Sequence, residues 1–274
     1  AIVTLSMGIR HGFGLWLQPV TQTQGWGRQE FAFAIAIQNL SWGLMGIFAG
    51  MLADKFGAFR VITAGALLYA LGLVGMSQAQ TPWMFALFTG VIIGTAQAGT
   101  TYAVIYGVIG RNVPAERRSW AMGIAAAAGS VGQFLMVPVG GMLIGQEGWQ
   151  GALLILAAAT ALIIPLAWGL REPALHSQGP AKREQTIAQS LKEAFQYPSF
   201  QLLMAGYFVC GFQVVFIGVH MPSYLKDHGL PPQVASYALA LIGLFNVFGT
   251  YISGTLGQKM AKKNILAFIY IARS

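Results

Sequence analysis

The charged side chains of this 274-residue chain are clustered, and the gaps between the clusters constrain its fold more than any other feature. Residues 61–110 contain no Asp, Glu, Lys or Arg, nor do 31–53, 119–146, 148–170, 194–225 and 228–258. A helix needs ~20 apolar residues to cross the hydrocarbon core of a bilayer. The 50-residue gap at 61–110 therefore predicts two helices, with a break at Ser77-Gln78-Ala79-Gln80-Thr81-Pro82, where polar residues precede a proline. The sequence reads as eight full spans, at about 1–22, 30–53, 60–79, 83–109, 119–143, 149–170, 200–224 and 232–253, with a ninth starting near Asn264. No ~10-residue alternating segments of the kind a membrane β-barrel uses are present.

Composition narrows the function classes. The chain is 55% hydrophobic and 9% charged. A soluble domain of ordinary make-up carries ~25% charged residues to cover its surface. This excludes a soluble enzyme and a disordered chain, and argues against a nucleic-acid partner despite the net charge of +8. The single cysteine excludes a disulfide framework and a cysteine-based zinc site. The partner this composition demands is the lipid bilayer.

The excess positive charge follows from topology. Alternate loops divide fourteen cations twelve to two: Lys55, Arg60, Arg111, Arg117, Arg118, Arg171, Lys182, Arg183, Lys192, Lys259, Lys262 and Lys263 against Arg28 and Lys226. By the positive-inside rule the first set, and with it the N-terminus, is expected in the cytoplasm. The longest polar stretch, 171–199, falls on that side and divides the chain into a six-helix bundle at 1–170, a cytoplasmic linker, and the start of a second bundle at 200–274.

The two bundles are related by sequence. Residues 25–55 align without a gap on 229–259, with identities at Gly25, Gln29, Ala34, Ala36, Leu40, Gly50, Leu52 and Lys55. With one residue of slippage Arg10 meets Gln213, and Pro19 meets Pro222. The offset of 204 residues spans six helices, so both copies cross the membrane in the same direction. Parallel six-helix repeats suggest a transporter with its site between the halves.

The loop after span 2 reads Gly50-Met-Leu-Ala-Asp54-Lys55-Phe-Gly57-Ala-Phe-Arg60, and its repeat reads Gly254-Thr-Leu-Gly-Gln258-Lys259-Met-Ala-Lys262-Lys263. It resembles the cytoplasmic loop signature of the major facilitator superfamily, G-x-x-x-D-[RK]-x-G-x-[RK]-[RK]. Phe59 replaces one basic position, and in the second copy Gln258 and Ala261 replace the acid and the second glycine. The resemblance implies an all-α membrane fold of twelve helices in two bundles, of which this sequence supplies the first bundle and a little under half of the second. It also implies that Gly50, Asp54, Lys55, Gly57 and Arg60 form a gating loop. Gly129, Gly132, Pro138, Gly140 and Gly141 match part of an antiporter motif, but Val137 stands where a glycine is expected before the proline. Within the superfamily, Gly8-x-Arg10, the Gly25-Trp-Gly-Arg28 loop and Tyr270-x-x-Arg273 resemble bacterial monocarboxylate and oxalate–formate type carriers, implying a multi-pass protein of a bacterial inner or plasma membrane.

Polar residues inside the spans are the candidate site. Arg10 lies mid-span, where a charge costs ~2.5–3.5 kcal/mol even on a lenient insertion scale, so such residues usually face a cavity. His11, Gly14 and Gln18 fall on one side of span 1 by their 3–4 spacing. Gln213 and His220 share a face of span 7, and Gln97 and Thr101 are one turn apart in span 4. Gln133 in span 5, Gln38 and Asn39 in span 2, and Asn246 in span 8 complete the polar set. Any one uncharged residue among them could be an ordinary interhelical hydrogen bond. The family resemblance puts helices 1, 4, 7 and 10 around a central cavity, which favours Arg10, Gln97 and Gln213. His11, Thr101, Gln133, His220 and Asn246 are the further candidates for substrate binding, and Arg273 is a possible second buried cation.

The expectation is a secondary transporter of small organic anions, mono- or dicarboxylates, without a cofactor or a metal. Its coupling partner is left open between protons and a counter-anion, as are symport and antiport. A transporter-derived sensor or receptor, or a carrier of another small solute class, is the alternative. An enzyme is not expected: no H-E-x-x-H and no paired intramembrane acids occur, and ATP-driven transport would need a G-x-x-x-x-G-K-[ST] loop that is missing.

Overall fold

A computed structural model describes residues 1–170 and 187–273. Residues 171–186, most of the expected linker, lie outside the described residues, as does Ser274. The described residues are helical almost throughout and contain no strand. Six of the helices are long and apolar enough to cross a membrane: Arg28–Phe56, Ala58–Ser77, Pro82–Asn112, Ala115–Trp168, Pro198–Asp227 and Pro232–Lys259. The difference from the eight expected spans has two local causes.

The first is in span 1, which runs as Ile2–His11, tightens to a 3-10 turn at Phe13–Trp16, and resumes as Leu17–Gln24. Pro19 has no N–H for the carbonyl four residues back, and its ring crowds that carbonyl, which disfavours regular α-helix in the turn ahead of it, although Pro138 and Pro222 are accommodated inside longer helices. No single piece is then long enough to span. The second is in Ala115–Trp168, whose 54 residues would extend ~80 Å at 1.5 Å per residue, far more than one crossing. The chain reverses at Gly148, whose φ of 71° and ψ of 172° no helix contains. The expected loop between spans 5 and 6 is thus one glycine, and span 6 follows as 149–161 and Ile163–Trp168. Counted this way the eight spans are all present, and Lys262–Arg273 starts a ninth.

Span 4 is irregular. It starts at Thr81, whose hydroxyl caps Met84 N–H at 3.2 Å, passes through a π-helical stretch at Ala86–Ile92, and breaks at Thr101 (φ −120°, ψ −151°) before Tyr102–Asn112. Short non-α segments of this kind concentrate where a helix serves a site.

The sequence repeat is visible in the backbone. Gly25 and Gly229 both adopt left-handed conformations, φ 70° and 79°, and spans 2 and 8 start at Arg28 and Pro232, again 204 residues apart. The halves meet along two seams. Spans 5 and 8 touch over their whole length. At one end a Cβ on either Gly123 or Gly254 would come to 2.9 Å from the other's Cα, and in the middle Gln133 donates to the Leu239 carbonyl at 2.9 Å. Spans 1 and 7 cross near the opposite end, where a Cβ on Gly14 would overlap the Gly218 carbonyl. There Gln18 donates to Asp227 at 3.0 Å, and Asp227 also pairs with Arg28 at 2.7 Å.

Candidate functional site

Arg10 sits two residues before the break in span 1, and span 2 holds it from one side. Its Nη2 donates to Asn39 Oδ1, and its guanidinium carbon lies 4.4 Å from the centroid of the Trp42 ring. Asn39 and Trp42 are three residues apart and therefore neighbours on one helix face. Each is itself anchored. The Asn39 amide donates to the Ile35 carbonyl at 2.8 Å, which turns its oxygen toward the arginine. The Trp42 indole donates to Thr101 Oγ1 at 3.0 Å, and that hydroxyl donates to the Gln97 carbonyl at 2.6 Å, across the break in span 4. Arg10 Nε is enclosed and has no hydrogen-bond partner. Among the described residues no carboxylate forms an ion pair with Arg10.

A second polar chain lies beside it. Gln97 is fully buried and reaches the Tyr69 hydroxyl at 3.5 Å, with its Oε1 unpartnered. Tyr69 donates to the Ser6 carbonyl at 3.2 Å, and the Ser6 and Thr100 hydroxyls are 2.8 Å apart. Next to Thr101, Tyr102 stacks on Tyr106 with centroids 5.2 Å apart. The structure therefore joins Arg10, Gln97 and Thr101 through residues of spans 1, 2, 3 and 4.

Other candidates lie elsewhere. His11 turns its Nδ1 to the Met7 carbonyl at 2.7 Å. Gly14 and Gln18 face span 7 across the 3-10 turn, Gly14 at the Gly218 carbonyl and Gln18 at Asp227. Gln133 is engaged in the seam between spans 5 and 8. Gln213 is half-buried in span 7; His220 is exposed, its ring 5.1 Å from that of Phe216; Asn246 in span 8 is exposed. Arg273 ends the last helix, and its side chain lies outside the described residues.

The loop after span 2 is built around Gly57, whose φ of 87° lets span 2 stop and span 3 start at the next residue. Asp54 forms an ion pair with Arg111 at the end of span 4. Lys55 lies over the Phe56 ring at 5.1 Å, Arg60 is exposed, and Gly50 has open space where a Cβ would point.

Trp42 and Tyr69 do not stand out in the sequence, because an aromatic residue in an apolar span looks like packing. The available signal was the Asn39/Trp42 spacing, which puts a polar and an aromatic group on one face. Asp227, the link between the halves, does not stand out either, because it lies at a span end where charge is ordinary.

Repeated apolar helices, with irregular segments around Arg10 and a cation-rich end, define a multi-helix membrane protein. The model of the Major Facilitator Superfamily matches residues 1–273, and the chain belongs to that family. It is 21% identical over 276 residues to an uncharacterized MFS-type transporter, YcxA, of Bacillus subtilis, covering 95% of this chain and 64% of that one. It is 25% identical over 259 residues to monocarboxylate transporter 11 of Mus musculus, covering 94% and 58%. It is 23% identical over 233 residues to the cis,cis-muconate transport protein of Acinetobacter baylyi, covering 81% and 56%. The chain thus spans about three-fifths of the length of these relatives. Its fold matches the crystal structure of a bacterial homologue of the human lysosomal transporter Spinster, with a TM-score of 0.72 at 20% identity, covering 96% of this chain and 61% of that one. The protein is integral to the membrane, as the family and the spans require.

Proposed function

We propose that this chain is the larger part of a secondary carrier of small organic anions, mono- or dicarboxylates, which it moves by rocking one bundle against the other. The observation that carries the reading is Arg10: a cation inside the spans, held by a neutral amide and a neutral ring, with no carboxylate pairing it among the described residues. An intramembrane charge left without a fixed counter-charge is a site for a mobile one. A guanidinium grips a carboxylate through parallel hydrogen bonds that a lysine cannot reproduce. Gln97, with its unpartnered Oε1 in the neighbouring chain, is the adjoining polar group. The relatives named for monocarboxylates and cis,cis-muconate support the same class.

By the positive-inside rule the cation-rich Asp54 end faces the cytoplasm and the Asp227 end, clasped between spans 1 and 7, faces the other side of a bacterial inner or plasma membrane in this reading. Cysteines placed singly at Ala261 and at His228, in a Cys210-free protein, test that orientation. Membrane-impermeant label applied to intact cells should reach the second only, and the reverse pattern would overturn it.

Uptake of labelled lactate and cis,cis-muconate into liposomes holding the purified protein tests the function. Arg10→Gln should nearly abolish uptake and Arg10→Lys should impair it, with both proteins still inserted and folded. Wild-type rates in Arg10→Gln, or uptake of cations or sugars alone, would refute an anion site at Arg10.

A further inference from the structure

We propose that Asn39 and Trp42 are positioning residues for Arg10, fixing its guanidinium so that the Nε–H faces a bound carboxylate; the proposal rests on the anion reading of Arg10. A free arginine side chain samples many rotamers, and gripping a ligand would have to freeze them. Here two contacts define the group's attitude. The Trp42 ring, 4.4 Å from the guanidinium carbon, sets its position over one aromatic face, and Asn39 Oδ1, accepting from Nη2, sets its rotation. Both holders are held in turn, Asn39 by the Ile35 carbonyl and Trp42 by Thr101. Of the guanidinium donors that Asn39 does not use, Nε–H is enclosed and has no partner. Enclosing a donor without an acceptor is unfavourable, so an arrangement that does so needs a reason. A ligand that supplies the acceptor is one.

The chemistry of the two holders points the same way. An aspartate at position 39 would bind the guanidinium more tightly than an asparagine, but would also cancel its charge. The amide oxygen and the aromatic quadrupole both stabilise a cation without neutralising it. Span 2 therefore orients Arg10 and leaves its charge to the substrate. The link from Trp42 to Thr101 also ties that orientation to the break in span 4, so the arginine is braced against two helices.

The test compares Asn39→Asp, Trp42→Leu and Trp42→Phe with wild type and Arg10→Gln, in proteoliposome uptake of labelled lactate and cis,cis-muconate. Folded protein is quantified by size exclusion. Asn39→Asp should raise KM at least tenfold, because it supplies an internal counter-ion, while the maximal rate per folded molecule changes less. Trp42→Leu should raise KM several-fold, and Trp42→Phe, which keeps a ring under the cation, should recover most of that loss. A purely structural role predicts the opposite split, with less folded protein, an unchanged KM, and Phe no better than Leu. If Arg10→Gln abolishes uptake while Asn39→Asp and Trp42→Leu keep the wild-type KM, the positioning role is wrong and the anion site stands. If Arg10→Gln transports like wild type, or the wild type takes up neither carboxylate, both fall. Should Trp42→Leu or Asn39→Asp not fold, Asn39→Ser and Trp42→Phe still decide: wild-type KM in both refutes the bracket, and a raised KM in Asn39→Ser supports it.

Discussion

The two copies of the repeat share a backbone and differ in chemistry. Spans 2 and 8 start 204 residues apart behind matching left-handed glycines. In the first copy Arg10 is bracketed by Asn39 and Trp42. At the corresponding places the second copy has Gln213, Gly243 and Asn246, so both the cation and its holders are replaced. Gly243 instead packs against span 5, where a Cβ would come to 2.8 Å from the Phe134 nitrogen. The loops diverge in the same manner. Asp54 pairs with Arg111, whereas Gln258 stands in its place and Gly254 packs on Gly123. The copies share their turns and the starts of their helices, which depend on local backbone and length. They do not share the site, which depends on single side chains.

The largest expected effect asks whether the asymmetry is functional. Arg10→Gln should lower carboxylate affinity ten- to a hundredfold or more, since a lost charge-assisted hydrogen bond is worth ~1.5–3 kcal/mol. Moving the cation to the other copy, as Arg10→Gln with Gln213→Arg, should not restore uptake. A restored rate would show that the two sides are interchangeable after all.

Next comes the seam. Gly254→Ala should lower Tm, because the new methyl meets the Gly123 backbone and overpacking of this kind costs ~1–3 kcal/mol. Gly50→Ala, at the repeat position, has open space and removes a flexible residue from a helix interior, a change worth up to ~1 kcal/mol in favour of folding. Equal shifts in the two would mean that the packing difference between the copies has no energetic weight.

Asp54→Asn should act on exchange between states more than on binding. The ion pair with Arg111 ties the end of span 2 to the end of span 4, remote from Arg10. Turnover should fall, with equilibrium affinity within about a factor of a few, since the interaction lost is remote from the bilayer midplane where carriers of this type bind. Gln258→Ala in the other copy should change neither.

The smallest effect on stability should come from Asp227→Asn. Its pair with Arg28 is 42% and 53% exposed, and solvent-screened pairs of this kind contribute little to stability. The informative readout is accessibility of a cysteine at Thr21, buried one turn beyond Gln18 and outside the clasp, to impermeant label, which should rise as spans 1 and 7 loosen. Unchanged labelling would show that the Gly14–Gly218 crossing alone closes that end.

How much of this was legible beforehand depends on the kind of force involved. The apolar spans and their repeat could be read from the chain alone, and Arg10 could be singled out as an exception among them, because a bilayer imposes a length of uncharged sequence and penalises every exception to it. The turns at Gly25 and Gly229 belong with them, since positive φ is a local property of glycine. Only the tertiary structure decided that span 1 tightens to a 3-10 turn after His11, that a single glycine separates spans 5 and 6, that Gln133 serves a seam, and that Asn39 and Trp42 hold Arg10. Those outcomes depend on which faces meet across residues far apart in sequence. In an apolar chain nearly every face is compatible with burial, so hydrophobic pattern cannot choose among them. Close approach of small residues and the pairing of a few polar groups make the choice, and neither exists until the helices are packed.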